Sequence, residues 1–231
     1  MAKDASDEDV ANRRPIAARG SLWAQRSAAA LSRAGISANA ISLSSVGFAI
    51  VAAAAFLAAP IGGAWLYLVA AVSCPLRLVA NLLDGMVAVE EGRATPSGPI
   101  YNEIPDRIAD VVILAAAGYA AAIAAPDGTI AAVAIAFGWL AAVAALLTAY
   151  VREMGRGLGS PADFGGPFAK QQRMWLVIGA ALLCTVLPRF ATHILTIALI
   201  VVTLGGGLTA ALRLRRLAAF LRARAQDEGP P

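Results

Sequence analysis

The sequence predicts an all-α fold: a polytopic integral-membrane bundle of six transmembrane helices preceded by an N-terminal amphipathic interfacial helix. Three observations carry this expectation. Hydrophobic residues make up 59% of the 231 and charged residues only 15%, the balance of a membrane protein. Apolar windows near the length needed to cross a bilayer, roughly 20 residues as a helix, recur at 40–59, 62–83, 105–125, 129–151, 172–188 and 191–212. Basic residues gather in alternate connections between those windows.

In chain order, the polar stretch 1–14 is expected to be disordered, being rich in Asp and Glu and poor in apolar residues. It shows no short apolar core with a small-residue cleavage site, so no cleaved leader is expected. Residues 15–35 read as a helix lying in the membrane surface. Ile16, Trp23, Leu31 and several alanines share one side, and Arg19, Arg26 and Arg33 line its edge. One membrane domain is predicted over 15–215, followed by a basic cytoplasmic tail over 216–231. Pro75 falls inside the second window and predicts a kink. Breaks are expected at Pro60-Ile-Gly-Gly, across 84–104, at Pro126-Asp-Gly, across 155–170 and at Pro188-Arg. Gly205-Gly-Gly207 invites close helix approach. Cys74 and Cys184 lie in apolar runs without metal-ligand spacing, and His193 has no second histidine, so all three read as structural.

Arginine and lysine set the orientation. They cluster before residue 34, around 93–107, around 152–173 and after 212, whereas the alternate connections carry only Arg189. The positive-inside rule then places both termini and the 84–104 connection in the cytoplasm, in what is expected to be a bacterial inner membrane. Nothing in the sequence points to nucleic acid.

Chemistry concentrates in Asn81-Leu-Leu-Asp84-Gly85-Met-Val-Ala88 and Asn102-Glu-Ile-Pro-Asp106-Arg-Ile-Ala-Asp110. On a helix, Arg77, Asn81 and Asp84 lie at i, i+4 and i+7 on one face, and Asp106 and Asp110 at i and i+4. Carboxylates at the mouth of a membrane bundle are costly unless they pair or bind a cation. Hard divalent ions take oxygen ligands and keep positions open for phosphate. The expectation is therefore a site for Mg2+ or Mn2+ on Asp84, Asp106 and Asp110. Asp106 alone, following Pro105, also suits an ordinary helix start. Arg77 either pairs with a site carboxylate or reaches a phosphate. Lys170 and Arg173, at i and i+3 beside Phe164-Gly-Gly-Pro-Phe, form a candidate anion site at the start of the fifth span.

These residues resemble the CDP-alcohol phosphatidyltransferases. The family pattern is Asp-x-x-Asp-Gly-x-x-Ala-Arg, a spacer, then Gly-x-x-x-Asp-x-x-x-Asp. Asp84-Gly85-x-x-Ala88 matches its middle and Asp106-x-x-x-Asp110 its end, while Ile36-Ser-Ala-Asn39-Ala-Ile-Ser42 looks like the family's lead-in to its first span. Asn81 stands where the family has its first aspartate, Val89 where it has arginine, and Asn102 where it has glycine, with a longer spacer. A second register, from Gly98 through Asn102 to Asp106, keeps the usual spacer. Glu90, Glu91 or Glu103 would compensate for the lost charge, and Arg93 for the lost arginine.

The resemblance implies transfer of a phosphatidyl group from CDP-diacylglycerol to a small alcohol with release of CMP. It implies Asp84 and Asp106 as the main metal ligands with Asn81 auxiliary, and Asp110 as a further ligand and general base. Gly85, Ala88 and Arg77 would line the nucleotide, and Lys170 and Arg173 would hold an acceptor phosphate, as on glycerol 3-phosphate or an inositol phosphate. Members are often homodimers surrounded by membrane lipids. The alternative is a catalytically impaired descendant that binds CDP-lipid or metal as a scaffold, which Asn81 and Val89 favour.

Overall fold

The computed structural model describes residues 17–89 and 97–227, apart from the side chains of a few positions, Asn102 among them. The disorder expected over 1–14, together with Ile16, Glu90, Glu91, Gly92, Arg93 and Pro96, lies outside the described residues. Among those described there is no strand. A short 3-10 turn, Ala17–Gly20, leads into seven α-helices: α1 Leu22–Arg33, α2 Ala38–Gly62, α3 Trp65–Val89, α4 Gly98–Ile123, α5 Gly128–Gly157, α6 Lys170–Val186 and α7 Ala191–Asp227. A second 3-10 turn, Pro188–Phe190, joins α6 to α7.

Helix starts follow from local chemistry. The Ser37 hydroxyl accepts from the Ala40 amide at 3.2 Å and caps α2. The Asp127 carboxylate accepts from the Ile130 amide at 2.9 Å and caps α5. Four described helices, α2, α3, α5 and α7, are long and apolar enough to cross a membrane, and the chain is an integral membrane protein. Of the six expected spans, the two that do not meet that measure are α4, which carries Glu103, Asp106, Arg107 and Asp110 in its first half, and α6, which has only 17 residues.

Two boundaries differ from expectation. The break placed at 84–104 is shorter, because α3 continues to Val89 and α4 already begins at Gly98. Asp84 and Asp106 therefore sit within helices and not in a loop that closes over a ligand. Pro105 lies inside α4, and α3 runs unbroken through Pro75. As the eighth residue of α4, Pro105 lies past the first turn and forgoes one intrahelical amide bond.

Packing is by alanine. α2 lies against α3 and α4, α4 against α5, α5 against α7, and α6 fills the space between α3 and α7. α1 rests on α3, with Ala24 and Ala28 buried beside Leu82, Leu83, Met86 and Val87. Trp23, expected on the same side as those alanines, is instead half exposed. Cys74 and Cys184 are buried free thiols within the main core.

The tightest crossing is α4 on α5. A Cβ added to Gly118 would stand 2.8 Å from both the Ala134 carbonyl oxygen and the Gly138 Cα, which are backbone atoms that cannot swing aside. Gly118→Ala is therefore expected to destabilise the protein by about 1–3 kcal/mol through overpacking. Thermal unfolding in detergent checks this, with Gly47→Ala, which meets nothing within 4 Å, as the neutral control.

Candidate active site

α3 and α4 touch only sparingly along their length. The gap between them is filled by charged side chains, and α6 closes it. From α3, the i, i+4, i+7 spacing does bring Arg77, Asn81 and Asp84 to one face, toward α4 and α6. From α4 come Asp106 and Asp110, one turn apart. From the first turn of α6 come Lys170 and Arg173.

Arg77 is the centre of the arrangement and is fully buried. Its Nη2 donates to the Asp106 backbone carbonyl at 3.0 Å and to the Asp106 carboxylate at 3.3 Å, and it forms an ion pair with Asp110 Oδ1 at 2.8 Å. Its Nη1 faces the Met174 sulfur at 3.3 Å. Arg173 donates to Asp110 Oδ2 at 3.0 Å, to the Thr148 hydroxyl at 2.9 Å and to the Phe168 carbonyl at 3.3 Å. Both oxygens of Asp110 thus carry a guanidinium, and none of its side chain reaches solvent.

Asp106 is nearer the helix end, with 11% of its side chain exposed. One oxygen accepts from Arg77 and from the Asn81 amide, the other from the Lys170 ammonium. Asp84 stands somewhat apart. The Ser42 hydroxyl of α2 donates to its Oδ2 at 2.5 Å, and its buried Oδ1 has no hydrogen-bond partner. Asp84 still feels the charges of Asp106 and Lys170.

The fit to a divalent ion follows from these partners. Among the described residues, no group of three or more His, Cys, Asp or Glu side chains is gathered in a way that would hold a metal. Asp110 has a guanidinium against each of its oxygens. Oxygens of the kind a hard cation takes are present on Asp84, whose Oδ1 has no hydrogen-bond partner, on Asp106 behind Lys170, and on the Asn81 amide, and these are the residues that would hold one.

The remaining predicted residues divide. Gly85 lies one position beyond Asp84 on α3. Ala88 packs toward the α1 cluster, at the edge of the site. Glu103 does not supply the charge missing at Asn81, because it pairs with Arg107 and with Arg152, the latter at 2.6 and 2.7 Å.

Sequence reasoning did not single out Ser42, Thr148, Met174 or Arg213 for the site. The signal for Ser42 was its place at the end of the lead-in motif, but Asn39, Ser44 and Ser45 share the same first turns of α2 and mask it. Arg213 was read as tail charge, yet it is buried and donates to the Gly165 carbonyl at 2.9 Å and to the Thr148 carbonyl. Arg216 pairs with Asp163 at 2.6 Å. These contacts fix the 158–169 connection that delivers Lys170. Gly166 has φ +121°, open to glycine, and its Cα faces Thr209, whose hydroxyl accepts from the Phe168 amide at 2.9 Å. Phe168 in turn lies over Gly205, and the close helix approach expected in this stretch is made by Gly206, where an added Cβ would stand 3.0 Å from the Ala144 Cβ of α5.

No family model and no curated protein matches the sequence. Solved structures do. Mycobacterium tuberculosis phosphatidylinositol phosphate synthase in complex with manganese and citrate is 19% identical, with a TM-score of 0.67 over 84% of this chain and 88% of that one. The same enzyme with CDP-DAG bound is also 19% identical at TM-score 0.67, covering 84% and 92%. Its apo form is 18% identical at TM-score 0.64, covering 81% and 92%. The chain therefore has the fold of a CDP-alcohol phosphatidyltransferase.

Proposed function

We propose that this protein transfers a phosphatidyl group from CDP-diacylglycerol to a small phosphorylated alcohol, releasing CMP. The observation that carries the reading is the cluster of Asp106 and Asp110 with Arg77, Lys170 and Arg173, beside Asp84, at one end of a fold shared over 84% of the chain with an enzyme crystallised with manganese and with CDP-DAG. By charge distribution, the two less apolar helices complete a six-span bundle in a bacterial inner membrane, with site and termini cytoplasmic. A homodimer is part of the same proposal.

In this reading the acceptor hydroxyl oxygen bonds to the β-phosphorus, the bridging oxygen–phosphorus bond breaks, and CMP departs with the electron pair. Asp84, Asp106 and the Asn81 amide oxygen hold the ion. Mg2+ or Mn2+, when bound, neutralises the pyrophosphate and the charge that develops on the leaving phosphate. The hydroxyl proton passes to the Asp106 oxygen that Lys170 gives up when it turns to the acceptor. Asp110, which the sequence favoured as base, has both oxygens committed to Arg77 and Arg173, so it acts as a positioning residue. Gly85, without a side chain, admits the nucleotide to the α3 backbone, with Ala88 at its edge. Lys170 exchanges Asp106 for an acceptor phosphate, as on glycerol 3-phosphate or an inositol phosphate, and Arg173 supports it from behind.

A second reading has one specific support. Each α4 carboxylate is already satisfied by protein cations, and Asn81 removes a charge, as in a CDP-lipid-binding scaffold without turnover. CMP release separates the two. Purified protein in detergent, given CDP-diacylglycerol, Mn2+ and a panel of alcohols, is expected to release CMP with a phosphorylated acceptor, and Asp84→Asn is expected to be silent. Bound CDP-diacylglycerol with no CMP from any acceptor would establish the scaffold instead.

A further inference from the structure

We propose that the Arg77 guanidinium serves as a built-in cation of the site, so that the centre binds a single divalent ion, on the Asp84 side, and not a pair. This rests on the assignment of Asp84 and Asp106 as metal ligands given above.

Geometry is the first support. A second ion bridging the carboxylates of α4 would have to lie between Asp106 and Asp110. That place is filled by a fully buried guanidinium, which contacts Asp106 at 3.0 and 3.3 Å and Asp110 at 2.8 Å. Arg173 closes the other side of Asp110 at 3.0 Å. An arginine keeps its charge at any working pH, so the place cannot be vacated by deprotonation. Asp84 Oδ1 and Asp110 Oδ1 are both buried without a hydrogen bond, but Asp110 Oδ1 is ion-paired with Arg77 at 2.8 Å, whereas no described cation pairs with the buried Asp84.

Charge balance is the second. Counted in their ionised forms, Asp84, Asp106 and Asp110 contribute three negative charges, and Arg77, Lys170 and Arg173 contribute three positive ones, which sum to zero. A pyrophosphate diester brings two further negative charges, and one divalent ion offsets them. In the complex with the CDP-lipid alone, before an acceptor phosphate enters, a second ion would leave an uncompensated double charge in a poorly solvated pocket, which is costly. Asn81 fits the same account: the extra carboxylate that a second ion would need is absent, and the amide donates to Asp106.

Counting the ions tests this directly. Full-length protein in lipid nanodiscs is titrated with Mn2+ by calorimetry, and the bound ion is examined by electron paramagnetic resonance. One Mn2+ per chain with an uncoupled six-line spectrum is expected, and Asp84→Asn should weaken it at least tenfold. Arg77→Gln should open the second place and raise the count to two, with spin coupling. Two coupled ions in the unmodified chain, none at all, or a count that stays at one in Arg77→Gln would each overturn the proposal. Should Arg77→Gln fail to fold, Asn81→Asp decides: tighter binding of still one ion supports Arg77 as the internal cation, and a second ion with Arg77 in place refutes it. CMP release measured on the same preparations keeps the two ideas apart. One bound ion without turnover would sink the transferase reading and leave the ion count standing.

Discussion

Asp106→Asn is expected to lower CMP release by about 10²–10³-fold, the usual scale for removing one preorganised electrostatic contact from a reaction centre. Asp106 meets three side chains at once, Arg77, Asn81 and Lys170, and it is the less buried carboxylate of α4. In the proposed mechanism its loss removes a metal ligand, a proton acceptor and the anchor of the acceptor-phosphate lysine together. The fold should survive, since Arg77 keeps Asp110 and the Asp106 carbonyl, and the partly exposed Lys170 can turn toward water. Steady-state assays with thermal melts on the same samples check both halves. Full activity in Asp106→Asn would remove this carboxylate from the mechanism.

Arg173→Met is expected to act on stability. It leaves Asp110, completely buried, with Arg77 alone, and strips the Thr148 hydroxyl and the Phe168 carbonyl of their donor. Breaking a buried ion pair from one side costs roughly 3–5 kcal/mol, because an uncompensated charge stays behind. For a chain of this size that corresponds to a melting temperature lower by about 6–20 °C. Lys170→Met should cost far less, since its ammonium sits at the rim. Equal melting temperatures for the two variants would mean that Arg173 does not hold Asp110.

Much of this was legible in the sequence for simple physical reasons. Charge is expensive in an apolar bundle, so Asp84, Asp106 and Asp110 stood out against their surroundings, and helical spacing put Arg77 on the face of Asn81 and Asp84. Lys170 and Arg173 were found as a pair by the same spacing. What spacing does not encode is who pairs with whom across helices. The spacing left Arg77 either to pair with a carboxylate or to reach a phosphate. The crossing of α3 and α4 decides for the pair, placing its guanidinium between two carboxylates and turning Asp110 from an available base into an enclosed partner. The end of α3 was misplaced because Asp84-Gly85 reads as a helix stop, whereas tertiary packing of Met86 and Val87 against α1 carries the helix to Val89. Ser42 and Arg213 were missed because each looks ordinary in its own segment, and only α3 and α5 give them their partners.

The last helix has a consequence of its own. At 37 residues, α7 is about 55 Å long, against a hydrocarbon layer of roughly 30 Å. Its surplus stands as a mast beside the bundle, and Arg213 and Arg216 tie the 158–169 connection to it. The height at which Lys170 and Arg173 are presented to a water-borne substrate is thus set by a ruler that contains none of the reacting groups. A chain cut after residue 212 would keep Asp84, Asp106, Asp110 and every expected span, yet it would lose the gauge that holds its basic residues level with them.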